Sequence, residues 1–357
     1  MLLSIFRLNK YFRHHPIARW PVHACLVLFS LFHIFSPTAA TAQTSNQAAL
    51  ENIEQLLEAT LNEGDEDTRQ ELAEQVLLEF GSSQQSSLSD LYGSAYAMPP
   101  LLSAPGPVLP SSAEIYSFAF AEKLIHLVRQ ESSVQVYEVE VTAERLATAI
   151  KYYVQELQIS SSFNGMERGS TELYRWLIQP YAAELQQAGI DRLIFFSTDP
   201  LRHLPLATLF DGRRYLIDDF EVVVSFGADG ADGADSVRSS DAMPPQLPES
   251  LRSSITAGQI ELFLDDVILS QSSSVLTESL SAFQLQGIHL ATGAKVNLFG
   301  LWPSNDQATA QLLDLFVAGL GDSQDYAAAL RAAQLQLKSS TRFGHPFYWG
   351  MFQLVEQ

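Results

Sequence analysis

The chain has one cysteine in 357 residues, Cys25. That cysteine lies in a stretch built like an export signal. Arg7, Lys10, Arg13 and Arg19 form a basic segment without acids, residues 24–36 are an apolar run, and Ala40-Thr41-Ala42 is a small-residue cleavage site. Cleavage after residue 42 leaves 315 residues with no thiol. Disulfides, thiolate catalysis and cysteine metal ligation are thereby excluded from the mature part. The apolar run is short for a membrane span, so the expected location is periplasmic or extracellular. An uncleaved N-terminal membrane anchor is the alternative.

Positive charge is also scarce. Lys and Arg total 21 against 41 Asp and Glu, a formal charge of -20, and removing the four basic residues of the signal leaves -24. Such a surface repels phosphate backbones and anionic lipid, so nucleic acid is excluded as an expected partner. No integral membrane span is expected after signal cleavage. Glycine-rich phosphate loops are missing, so no nucleotide is implied. The histidines beyond the signal (His126, His203, His289 and His345) are scattered and have no thiol to join them, so neither a metal nor another cofactor is expected. What the chain does have is a 46% hydrophobic composition, enough for one sizeable core.

Residues 50–80 read as two helices. Leu50, Ile53, Leu56, Leu57 and Leu61 recur at helical spacing, as do Leu72, Val76 and Phe80. Asn62 to Asp65 separates them, and Gly81 is expected to end the second. Residues 82–112 are rich in Ser, Pro and Gly and read as a linker, so 43–112 is a helical extension and linker. From Glu114 the pattern alternates, predicting a three-strand meander over 115–120, 123–129 and 134–141. His126 alternates with Ile125 and Leu127 and is expected on the polar side. Thr142 can cap a helix to Leu157. Residues 171–188 predict one further helix closed by Gly189, which feeds an apolar strand at 192–196. A helix feeding a strand in this way suggests a parallel α/β sheet.

Strands are expected at 221–226, within 260–270 as one strand or a hairpin, and at 296–302. Helices are expected at 276–285, 307–318 and 326–338, before an aromatic tail from His345 to Phe352. Between the strands lies GADGADGAD. Its Asp229, Asp232 and Asp235 do not have the spacing of a calcium loop, and the segment reads as a flexible low-complexity loop.

Several of these pieces, in this order, resemble the CHAT family of caspase-like domains. Leu173-Tyr174-Arg175-Trp176-Leu177-Ile178-Gln179-Pro180 is similar to its leading helix. Residues 191–212 (DRLIFFSTDPLRHLPLATLFDG) are similar to its first core strand and Leu-Pro turn, and Tyr215-Leu216-Ile217 fits the next step. Leu301-Trp302-Pro303-Ser304-Asn305-Asp306 fits a late strand-to-helix junction. Ala329 to Gln334 and His345 to Trp349 fit the closing helix and tail. The resemblance implies a caspase-like three-layer α/β/α sandwich with a mostly parallel sheet over 113–357. It also implies Cys–His peptidase chemistry, with the histidine in a His-Gly step after one strand and the cysteine ending a later one.

Neither group is where that chemistry needs it. No His-Gly step exists, and no histidine falls between His203 and His289. Val267-Ile268-Leu269-Ser270-Gln271-Ser272 follows the nucleophile strand, with Ser272 at the cysteine position. A serine there needs a positioned base, and its neighbours Ser270, Ser273 and Ser274 suit a solvated turn. His289 and His203 are the weak base candidates. His289 echoes the catalytic strand with a residue missing, but equally fits a helix before 296–302. His203 sits beside the Leu-Pro turn. Asp306 falls where related peptidases line the substrate pocket with an acid, although Asn305-Asp306 also suits a helix cap. The expectation is an exported, non-catalytic CHAT-domain protein that binds a protein or peptide partner. The alternative is a degenerate hydrolase using Ser272.

Overall fold

A computed structural model describes residues 37–92, 107–131, 133–159, 163–197, 201, 204–225, 260–264, 267–271, 296–302, 304–321 and 325–356. The signal-like residues 1–36, the GADGADGAD segment and the helix expected at 276–285 lie outside these residues.

Two long helices open the described chain, α1 (Pro37–Asn62) and α2 (Glu66–Tyr92). Helix α1 runs through Ala40 to Ala42. Helix α2 does not stop at Gly81 but continues eleven residues into the expected linker. The meander follows as β1 (Ser112–Ala119), β2 (Leu124–Gln130) and β3 (Ser133–Val139), paired antiparallel in sequence order. Thr142 caps α3 (Ala143–Leu157), its hydroxyl accepting the Arg145 N–H at 3.1 Å. The single helix expected over 171–188 is two, α4 (Phe163–Leu177) and α5 (Gln179–Gln187). Pro180 sits in the first turn of α5 and cannot supply the N–H that would continue α4. Strand β4 (Arg192–Ser197), a short helix α6 (Leu216–Asp219) and β5 (Glu221–Ser225) complete the first half.

The second half holds the hairpin β6 (Ile260–Leu264) and β7 (Val267–Gln271), then β8 (Val296–Gly300). Helices α7 (Asp306–Gly319) and α8 (Tyr326–Lys338) follow, then a helical turn α9 (Pro346–Trp349) and a last strand, β9 (Phe352–Glu356). The nine strands among the described residues form one sheet in the order β3-β2-β1-β4-β5-β9-β8-β7-β6. Six of the nine run the same way, and β1, β4, β5 and β9 form a contiguous parallel block. Direction reverses between β9 and β8, and β7 stays parallel to β8.

Helices cover both faces, giving a three-layer α/β/α sandwich. Alternate residues of β1 divide the interior, as strand geometry requires. Ala113 and Ile115 face the larger core with α3, α4 and α5, whereas Tyr116 and Phe118 face Ile53, Leu57, Val76 and Phe80 of α1 and α2. Phe80 meets Tyr116 and Phe118 edge-on at 5.8 and 5.6 Å. The N-terminal helices therefore form part of a layer of the sandwich. Helix α8 lies on β5 and β9. It is tied to α6 by Arg331, which donates to the Ile217 and Asp218 carbonyls, and by the Lys338–Asp218 ion pair.

Candidate functional site

Strands β7 and β8 end together, with Gln271 opposite Gly300. That edge of the sheet is where a nucleophile following β7 and a pocket acid following β8 would meet. The residue after Gln271 is Ser272, which lies outside the described residues, as do His289 and His203. Asp306 is described. It is exposed and is the first residue of α7. Its neighbour Asn305 makes the cap, with the amide oxygen accepting the N–H groups of Gln307 (3.0 Å) and Ala308 (3.3 Å). Asp306 is thus free of the capping task. Its carboxylate in the first turn favours the helix electrostatically.

The wall of this edge is aromatic. Trp302, which follows β8, is buried, and its indole N–H donates to the Phe347 carbonyl at 3.0 Å. His345 precedes α9 and caps it, Nδ1 accepting the Phe347 N–H at 3.1 Å. The proton of the neutral ring is then on Nε2, which has no partner among the described residues. Burial holds the His345 pKa below its ordinary value, and the ring meets Phe163 of α4 edge-on at 4.5 Å. The aromatic tail thus reaches the start of α4.

A hydroxyl and an imidazole do meet in this protein, at a place the alternation of β2 did not indicate. His126 is fully buried, not on a polar face. Its directly opposite neighbour on β1, Ser117, lies 2.9 Å from Nδ1, and Nε2 lies 2.9 Å from the Trp176 carbonyl. That carbonyl only accepts, so Nε2 carries the proton and the serine donates to Nδ1. Tyr181 covers the ring edge-on at 5.5 Å. Burial drives the His126 pKa down to about 4, only partly countered by the Trp176 hydrogen bond. The pair resembles half a catalytic triad but has no access for substrate. It is a satisfied core contact that fastens β1 and β2 to the end of α4. No group of three or more metal-ligating side chains forms among the described residues.

A second polar knot holds the Leu-Pro segment. Tyr153 of α3 hydrogen-bonds Thr208 Oγ1 at 2.6 Å, and Ser170 of α4 donates to the Thr208 carbonyl at 2.8 Å. Gly350 of the tail packs onto the Thr208 methyl so closely that an added Cβ would overlap it. The Leu-Pro turn, the two helices and the tail therefore converge on one buried threonine.

The CHAT domain family matches residues 167–262 and 256–357, more than half of the chain. The chain belongs to the CHAT family. The two matched CHAT segments overlap at 256–262, at the start of β6. The first begins within α4, so the meander and the N-terminal helices precede the matched residues. No curated protein matches the chain. The matched CHAT region contains no cysteine. No helix among the described residues is long and apolar enough to cross a membrane.

Proposed function

We propose that this chain is an exported, non-catalytic CHAT-domain protein whose domain binds and regulates a protein or peptide partner. The observation that carries this reading is compositional. Residues 167–357 contain neither a cysteine nor a His-Gly step, so the family's attacking group and its base both lack a bearer. Export rests on the basic, apolar and small-residue succession of residues 1–42. Binding rests on the retained edge beyond β7 and β8, where Asp306 stays exposed beside the Trp302–Phe347 wall and can accept a basic group. Purified full-length chain, incubated with a broad fluorogenic peptide library and with hydroxyl- and thiol-reactive probes, is expected to show no turnover and no label beyond Cys25. Turnover abolished by Ser272→Ala overturns the proposal.

One observation favours the hydrolase reading instead. Gln271, which precedes Ser272 in the chain, and Gly300, which precedes the segment to the helix carrying Asp306, end their strands side by side, as a nucleophile and its pocket require. On that reading His289 or His203 acts as base. The same probe experiment separates the two, because a serine activated by either histidine is labelled by a fluorophosphonate and loses the label in the matching His→Ala variant.

A further inference from the structure

An open groove of about 570 Å³ runs along α4, lined among others by Glu167, Arg168, Thr171, Glu172, Arg175 and Phe210. Its lining starts at Asn164, the residue after Phe163, whose ring touches His345. Arg168 and Arg175 are exposed, and neither has an ion-pair or hydrogen-bond partner among the described residues. Most other basic side chains of the described fold are committed: Lys123 to Glu58, Arg129 to Glu114, Arg192 to Glu221 and Asp325, Arg214 to Asp219 and Lys338 to Asp218. Of the two acids in the groove, Glu172 is held by Arg145 at 3.1 Å. With Arg145 counted, three guanidiniums stand against Glu167 and Glu172 here, and Asp211, next in the chain to Phe210, acts on Tyr174 of the same helix. In a chain of net charge -20, this is a local concentration of guanidiniums, two of them unpaired.

We infer that the groove along α4 docks an acidic peptide segment of the partner, its carboxylates on Arg168 and Arg175 and an apolar side chain against Phe210. The inference rests on the reading that the domain binds a peptide, and it specifies that peptide's chemistry. Guanidinium groups match carboxylates bidentately, which gives direction as well as attraction. The two arginines are seven residues apart on one helix, about 10 Å along the axis. An extended polyproline-type peptide with acids three residues apart presents them about 9 Å apart.

The test uses full-length protein and fluorescence anisotropy with three labelled peptides of one design. They are Glu-Pro-Phe-Glu repeats, the same with Gln for Glu, and the same with Lys for Glu. The Glu peptide is expected to bind, the Gln and Lys peptides about tenfold or more weakly, and added salt to weaken the Glu peptide most. Arg168→Glu and Arg175→Glu are each expected to weaken the Glu peptide about tenfold, whereas Lys151→Glu on α3 changes it little. Both arginines are exposed and unpaired, so unchanged thermal unfolding of these variants separates lost binding from lost folding. Equal binding of the Glu and Gln peptides, or indifference to both arginine reversals, overturns the inference while leaving the peptide-binding reading intact. Binding of none of these peptides, nor of any member of an unbiased peptide library, overturns that reading and the inference with it.

Discussion

His126 pays for its burial with two hydrogen bonds and with a lost charge state. Its folded pKa, about 4, lies below the ordinary 6.5 because burial disfavours the imidazolium. The unfolded chain therefore binds the extra proton first, and stability falls as pH drops from 6.5 through 4. The full effect is about 3 kcal/mol. Above pH 6.5 both states are neutral and the contribution is flat. Urea unfolding of wild type and His126→Gln at pH 7 and pH 4.5 isolates this share from that of the carboxylates. The variant is expected to lose less stability on acidification, and parallel pH profiles would contradict the assignment. Gly350 makes a second prediction at this scale. An alanine Cβ there overlaps the Thr208 methyl and comes within 3.0 Å of the Pro346 carbonyl, and Thr208 is pinned by its own hydrogen bonds. Gly350→Ala is expected to destabilise by about 1–3 kcal/mol in chemical unfolding. A neutral result would mean that the tail does not seat on the Leu-Pro turn.

Among the elements, two glycines carry the same stop signal in sequence and behave differently. Gly189 has φ +68°, the left-handed conformation that terminates a helix, and α5 ends just before it. Gly81 sits inside α2 with no positive φ, and an added Cβ would meet nothing within 4 Å. Gly81→Ala should therefore stabilise the protein by about 0.5–1 kcal/mol and Gly189→Ala destabilise it by a similar amount. Opposite signs in paired urea titrations are the expected outcome, and destabilisation by Gly81→Ala would argue against the continuous helix. Helices whose ends carry chemical markers were legible: Thr142 caps α3, and the expected boundaries of α8 agree with those observed. Strand β9 was not legible, because Phe352 to Glu356 is only five residues long and follows an aromatic cluster that masks its alternation. Yet it lies between β5 and β8 and joins the two halves of the sheet.

For the molecule as a whole, the helices α1 and α2 replace solvent over half of the meander. Leu57, Ile53 and Val76 are fully buried against Tyr116, Phe118, Ile125 and Leu127. Removing residues 37–92 would expose this aromatic and aliphatic face, and exposed patches of that kind drive association. The truncated chain is expected to bind a hydrophobic dye and to self-associate in sedimentation, whereas full-length protein with Leu57→Ala loses about 2–5 kcal/mol of stability. A monomeric, dye-silent truncation would show instead that the helices are dispensable. Change of oligomeric state on deletion therefore reports the loss of a core layer before it reports any native assembly role.

Much of the candidate site was readable because it depends on residue identity. The missing cysteine, the absent His-Gly step, Ser272 following Gln271 and the acid at Asp306 are all statements about which atoms exist. Periodicity likewise revealed most helices and strands, since a helical or pleated backbone repeats its outward direction locally. Burial on both faces of a strand does not follow from such a repeat. It depends on which distant elements arrive, and only α4 and α5 closing over β2 made His126 a core residue. The order of the strands and the reversal between β9 and β8 were decided the same way, by contacts such as Val223 with Leu354 and Val296 with Glu356, which no local pattern encodes.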